Sequence, residues 1–389
     1  MVGLNGTLGA LGAPDTLALY VHWPFCVSKC PYCDFNSHVR TSVDQDAWRD
    51  ALLADLAHEA SLLAGRTLTS IFFGGGTPSL MDPATVAAVI AAARRHWRAA
   101  DDLEITLEAN PNSVEAARFA DLAAAGVNRL SLGLQSFNDA ALRFLGRAHS
   151  ASEGLAALDL AQRHFDRVSF DLIYALPGDT EKGWAATLDR ALGLGTAHLS
   201  LYQLTIEPGT RFASMVARHD FEPLDDDMAA SLYELTGDRT AAAGMPGYEI
   251  SNYARPWQES RHNLTYWRYG DYAGVGPGAH GRRLGARTVR HRKPENFLVA
   301  VARNGHGIAE EAPLSPREAA DEALVMGLRL AEGIDPGAIA RRVGVDRLVN
   351  DRAVARLVAS NHLDLTGGRL RTTAVGRLLL DRILSEIAV

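Results

Sequence analysis

The sequence predicts an α/β protein: a partial or complete parallel (β/α) barrel over residues 16–285, then a smaller, mostly helical C-terminal domain. Three observations lead there. Short β-branched or aromatic runs alternate with longer Ala/Leu/Arg segments of helical period. Polar residues gather at the C-terminal ends of the predicted strands, the end at which a barrel builds its site. After about residue 285 the alternation stops.

Residues 1–15, rich in Gly, Ala and Leu, read as a flexible tail. The predicted strands are LALYVHW (17–23), SIFFG (70–74), EITLEA (104–109), RLSLGLQSF (129–137), RVSFDLIYAL (167–176) and HLSLYQLTI (198–206), with GYEISNY (247–253) as a seventh. Helices are expected near 44–64, 83–98, 112–125, 138–146, 152–165, 181–194 and 225–243. Asp82-Pro83, Asn112-Ser113 and Asp225–Asp227 supply capping residues or early acidic charge. Such alternation requires a mainly parallel sheet with right-handed crossovers. Six or more units suit a barrel better than an open doubly wound sheet.

The strand-end residues are His22, Gly74–Thr77, Glu108, Asn110, Gln135, Gln203, Glu249 and Asn252, and Asp171 sits inside an otherwise apolar strand. Desolvating such groups costs several kcal/mol unless they are partnered. Each could cap the next helix or pair with an arginine; together they point to a site.

The basic run GRRLGARTVRHRKPENF reads as part of a connector over 286–314. From Ser315 come helices at 315–331, 335–343 and 346–359, then HLDLTGGRLRTT as a hairpin turning at Gly367-Gly368, and a last helix from Ala374. Helices followed by a hairpin look winged-helix-like. Arg341, Arg342, Arg347, Arg352 and Arg356 crowd there without a clear recognition helix, so a packing or lid domain is favoured over DNA binding.

Net charge is −7, from 39 basic against 46 acidic residues, which argues against a general polyanion binder, and no nucleic-acid partner is expected. No apolar run approaches the roughly 18 residues of a membrane span. The N-terminus lacks the pattern of a secretory signal, and a cytoplasmic location is expected. All 3 cysteines fall within eight consecutive residues, which excludes a disulfide framework and favours a reducing compartment and a metal role.

Cys26, Cys30 and Cys33 stand as C-x3-C-x2-C. Three thiolates can wrap three corners of a [4Fe–4S] cubane from one loop. With no fourth cysteine, one iron is left for another ligand, the open position on which metal catalysis depends. Zinc held with His22 or His38, or simple burial of the cysteines, are the competing readings of this segment. Gly74-Gly75-Gly76-Thr77-Pro78 directly follows a strand, and its backbone can approach a ligand closely.

The order C-x3-C-x2-C, GGGTP, LEANP, LGLQSFN and FDLIYALPG resembles the radical S-adenosylmethionine (SAM) proteins related to oxygen-independent coproporphyrinogen-III oxidase. The resemblance implies a radical SAM barrel and a [4Fe–4S] cluster on the three cysteines with SAM on the fourth iron. It also implies that family's C-terminal domain. It places Tyr20, Gly75 and Glu108 at a first SAM. Tyr32, Gly76, Thr77, Gln135, Arg147 and Asp171 match positions that surround a second SAM in the oxidase.

Two departures point within the family. Where the oxidase pattern continues to a further cysteine, Cys33 here is followed by Asp34-Phe35, and only 25 residues precede Cys26. Both are similar to the haem-chaperone group (HemW), as is His262-Asn263-Leu264-Thr265-Tyr266-Trp267. By itself a histidine beside Tyr266, Trp267, Tyr269 and Tyr272 reads as packed and hydrogen-bonded; the resemblance implies that His262 meets haem. The Gly-rich stretch 274–281 would bring His280 towards the SAM site. The implied function is haem binding and delivery to acceptors such as respiratory haemoproteins, with an electron donor as a further partner. The alternative is oxidative removal of propionate carboxylates from coproporphyrinogen. No catalytic residue is assigned.

Overall fold

The computed structural model describes residues 15–389. Apart from Asp15, the tail expected over 1–15 lies outside the described residues.

Strands β1 (Thr16–Trp23), β2 (Thr67–Gly75), β3 (Arg98–Ala109), β4 (Arg129–Gln135), β5 (Arg167–Tyr174) and β6 (His198–Gln203) follow one another through helical crossovers. The main crossover helices are α1 (Gln45–Leu62), α2 (Pro83–His96), α3 (Ala151–His164), α4 (Glu181–Leu192) and α5 (Asp226–Ala242). Each begins where a side chain satisfies the free amides of the first turn. Asp44, Asp82, Thr180 and Asp225 do this singly, and Ser150 with Glu153 forms a capping box. The helix expected over 112–125 is broken into Ser113–Ala116 and Phe119–Ala124.

The later elements are β7 (Asn252–Ala254), α6 (Arg261–Trp267), β8 (Tyr272–Val275), β9 (His280–Arg283), β10 (Ala286–Arg290), α7 (Pro294–Asn304) and β11 (Ile308–Pro313). All eleven strands form one sheet in the order β11-β10-β9-β8-β1-β2-β3-β4-β5-β6-β7. The seven from β8 to β6 are parallel, and the flanking strands are antiparallel.

Alternation along each strand separates two faces. Leu19, Val21, Ile71, Phe73, Ile105, Leu107, Leu130, Leu132, Phe170 and Leu172 are buried in the main core. The opposite face carries Tyr20, Ser70, Glu104, Glu108, Arg129, Ser131, Asp171 and Ser200. Residues of β2 through β7 and of the α6 segment line one cavity of about 130 Å³ on that face. A flat sheet could not bring six strands to one such space, so the sheet curls into a partial barrel. Its edge strands β11 and β7 are not paired with each other.

The segment 286–314, expected as a connector, is instead β10, α7 and β11 within the same sheet. Arg283 and Arg290 are buried, because Asp55 and Glu59 of α1 meet them: Arg290 lies 3.3 Å from Asp55 and 2.6 Å from Glu59, and Arg283 lies 2.7 Å from Glu59.

The C-terminal part comprises α8 (Pro316–Gly327), α9 (Pro336–Val343), α10 (Asp351–Ala359), the hairpin β12 (Leu363–Thr366) and β13 (Arg369–Thr372), and α11 (Leu380–Ile387). Gly367 and Gly368 take positive φ at its turn. These elements share a core of Leu324, Leu328, Ile339, Leu370 and Ile383, to which Tyr269 contributes from the barrel side.

Candidate cofactor site

The cysteine loop leaves β1 at the C-terminal end of the barrel and is stitched to the glycine run that ends β2. Gly76 donates to the Trp23 carbonyl at 2.7 Å and Thr77 to the Phe25 carbonyl at 2.9 Å. Gly75 has φ +112, and a Cβ there would lie 2.6 Å from the His22 ring; at Gly76 it would lie 2.8 Å from the Phe25 carbonyl oxygen. Glycine is required at both for these close approaches.

His22 supports the loop from below. Its Nε2 donates to the Asn36 carbonyl at 2.9 Å, so Nδ1 accepts from the Tyr20 hydroxyl at 2.8 Å. Burial pulls His22 down to about 4, which keeps the ring neutral. Asn36 in turn donates to the carbonyls of Pro277 (2.9 Å) and Arg292 (3.0 Å), clipping the cysteine loop to the far end of the sheet. Sequence reasoning missed Asn36. Its only signal in the sequence is a short amide side chain just after the cysteine loop; in the structure it faces Gly278.

Cys26, Cys30 and Cys33 are free and half-buried. Burial pushes the Cys26 and Cys33 thiols up. Thr77 lies 3.4 Å from Cys26 Sγ, and Arg147 lies 3.4 Å from Cys30 Sγ. Tyr32 stands beside Cys30 and Arg147, and burial raises its phenol well above the usual range. Gln135 occupies the left-handed region at φ +65, where the β4–β5 register breaks, and its amide lies over Gly133 beside Arg147.

Among the described residues, no three His, Cys, Asp or Glu side chains are arranged to hold a single metal ion. The fit to a cluster rests on the donor set: three soft thiols on one loop, hydrogen-bond donors at two of them, and buried Arg147 Nε without a partner.

Glu108 and Asp171 face the cavity from β3 and β5. Glu108 accepts from the Gly75 amide at 3.3 Å. Removal from bulk water, then the neighbouring Asp171 charge, pushes Glu108 up to about 8. Asp171 is pushed up to about 6 by burial, against hydrogen bonds from Ser200 and Ser131. This carboxyl pair favours a cation. Beneath it, Glu104 closes the barrel floor. It pairs with Arg129 (3.2 Å) and Arg167 (2.7 Å) and accepts from the first amides of α6. Glu104 was also missed, although its two-residue alternation with Thr106 and Glu108 places all three on one face.

The structure therefore gathers Tyr32, Gly75, Gly76, Thr77, Glu108, Gln135, Arg147 and the cysteines towards the C-terminal ends of the barrel strands, with Tyr20 and Asp171 on the inner face of β1 and β5. His262 is enclosed. It is buried on α6, with Nδ1 3.0 Å from the Ser70 hydroxyl, Nε2 2.6 Å from the Tyr266 hydroxyl, and its ring stacked on Phe72 at 4.9 Å. Both ring nitrogens are engaged by hydroxyls. Burial pulls it down to about 3.

Residues 20–191 match the Radical SAM superfamily, and residues 314–379 match the HemN C-terminal domain. "Heme chaperone HemW" of Mycobacterium tuberculosis is 37% identical over 390 residues, which cover 99% of this chain and 98% of the relative. The Escherichia coli protein of that name is also 37% identical, over 95% of this chain and 97% of its own.

The chain belongs to the radical SAM superfamily. Within it, the chain groups with the HemW relatives. The bovine (Bos taurus) "Radical S-adenosyl methionine domain-containing protein 1, mitochondrial" is 44% identical over 82% of this chain and 74% of the relative. Among solved structures, coproporphyrinogen III oxidase (HemN) of Escherichia coli superposes with a TM-score of 0.80 at 25% identity, covering 95% of this chain and 89% of that one. Membership in the radical SAM superfamily implies a [4Fe–4S] cluster and SAM as cofactors. No helix among the described residues is long and apolar enough to cross a membrane.

Proposed function

We propose that this chain is a haem chaperone that holds a SAM-ligated [4Fe–4S] cluster and passes haem to acceptor haemoproteins, respiratory ones among them. The observation that carries this reading is the likeness to HemW chaperones over nearly the whole of both chains. Asp34-Phe35 after Cys33 supports it, because the oxidase pattern has a further cysteine there.

In this reading Cys26, Cys30 and Cys33 hold three irons. Tyr20, Gly75 and Glu108 would flank the SAM, whose sulfonium charge suits the Glu108–Asp171 pair. Bound on the cluster, SAM supplies one-electron cleavage of a C–S bond, given an electron donor. The chain's own contribution is to orient it, keep water out and hold protons on Glu108 and Asp171 while no cation is present. Tyr32, Gly76, Thr77, Gln135, Arg147 and Asp171 would border a second SAM. His262 would meet haem, exchanging its hydrogen bond to Ser70 or to Tyr266 for the iron. Three unpaired thiols support a reducing compartment, and the reading places the protein in the cytoplasm.

The second reading, coproporphyrinogen oxidation, is favoured by the TM-score of 0.80 to HemN. An anaerobic assay of the reconstituted protein with SAM, reductant and coproporphyrinogen separates the two. The chaperone reading expects no vinyl products; their SAM-dependent formation would overturn it.

A further inference from the structure

Two cysteine sulfurs have a hydrogen-bond donor beside them, and one residue aims both donors. Asn110, in the loop after β3, donates from Nδ2 to Thr77 Oγ1 at 3.1 Å and to Glu115 Oε1 at 3.2 Å, and its Oδ1 accepts from Arg147 Nη2 at 2.5 Å. A guanidinium only donates, so the amide oxygen must face Arg147 and the amide has one permitted orientation. The consequence falls on Thr77. Its hydroxyl already accepts from Asn110, so its single proton is directed at Cys26 Sγ, 3.4 Å away. Arg147, held by Asn110 and by the Gly133 carbonyl at 3.1 Å, points Nη1 at Cys30 Sγ, 3.4 Å away.

Asn110 is itself fixed. Its backbone amide donates to Glu115 Oε2 at 2.8 Å, and Glu115 is buried and held by Asn112 (2.7 Å) and by a close hydrogen bond from Ser79.

We propose that Asn110 is a positioning residue for the cluster, which orients the Thr77 hydroxyl and the Arg147 guanidinium onto the Cys26 and Cys30 sulfurs and so sets the cluster's reduction potential. It touches neither sulfur. Donors to cluster sulfurs offset negative charge and favour the reduced state, and outer-shell partners of this kind tune metal centres. The charged Arg147 contributes more than the neutral Thr77. The inference rests on the cluster assignment.

The test is an EPR-monitored redox titration of the anaerobically reconstituted full chain without SAM, with iron and sulfide measured on the same samples. Asn110→Leu, neutral and of similar size, is expected to lower the midpoint potential and alter the reduced-cluster signal. Thr77→Val should lower the potential less, Thr77→Ser should retain the wild-type value, and the effect of Thr77→Val should shrink in the Asn110→Leu background. A fully loaded Asn110→Leu protein with wild-type potential would overturn the inference, as would an equal Thr77→Val shift in both backgrounds. If Asn110→Leu fails to fold, the Thr77 pair decides: equal potentials for Val and Ser sink the inference. Wild-type protein without iron and sulfide would defeat the cluster assignment itself, and this inference with it.

Discussion

Glu108 and Asp171 are carboxyls placed where their ionised forms are disfavoured, and this has a measurable cost. Glu108 is raised from 4.5 to about 8 and Asp171 from 3.8 to about 6. Between those limits the folded chain keeps protons that the unfolded chain has lost. Stability from this pair is therefore full below the ordinary carboxyl range and is lost as pH rises towards about 8. His22 and His262, pulled below 6.5 to about 4 and about 3, act oppositely and lose stability as pH falls. Glu108→Gln keeps the shape and removes the titration. Thermal melts of the cofactor-free chain should show a weaker decline from pH 5 to 8 than wild type, with the variant more stable at pH 8. At about 1.4 kcal/mol per pKa unit the difference is at most a few kcal/mol. An unchanged pH slope would show that Glu108 is already ionised. At this scale much was legible: charge in an apolar strand marked Asp171, and spacing marked the cysteines. Asn36 and Glu115 were not, because their roles depend on partners brought by distant segments.

At the scale of elements, α6 shows how a short helix is fixed from both its first turn and its inward-facing aromatic side chains. Ser260 caps its first turn, its leading amides meet Glu104, and His262 and Tyr266 turn inward against Ser70, Phe72 and Tyr272. The helix floors the barrel, and its aromatic residues pack with each other. His262→Ala would leave a cavity and an unpaired Ser70 hydroxyl, for an expected loss of about 2–4 kcal/mol in denaturant unfolding. Wild-type stability in that variant would contradict the packing role. The strands β9–β11 teach a related lesson. Arg283 and Arg290, from a run read as a connector, are buried against Asp55 and Glu59, and sequence periodicity cannot show that an acidic pair on α1 will meet them. Strands β1–β6 were legible because their apolar alternation is local.

For the whole molecule, parallel units of strand and helix fixed the barrel, while the open edge and the antiparallel extension depended on pairing between β8 and segments after it. The site follows from that assembly: strand ends bring together residues from Tyr20 to Asp171, and no single segment contains them. Fold and cofactor motifs are shared by HemW and by the oxidase, so haem delivery is the claim that most needs a direct measurement. The chain should be reconstituted anaerobically, shown to hold about four irons and four sulfides, titrated with haem, and then mixed with an apo-haemoprotein. The account predicts a saturable Soret shift followed by its transfer to the acceptor. A loaded cluster with no saturable haem binding would contradict it.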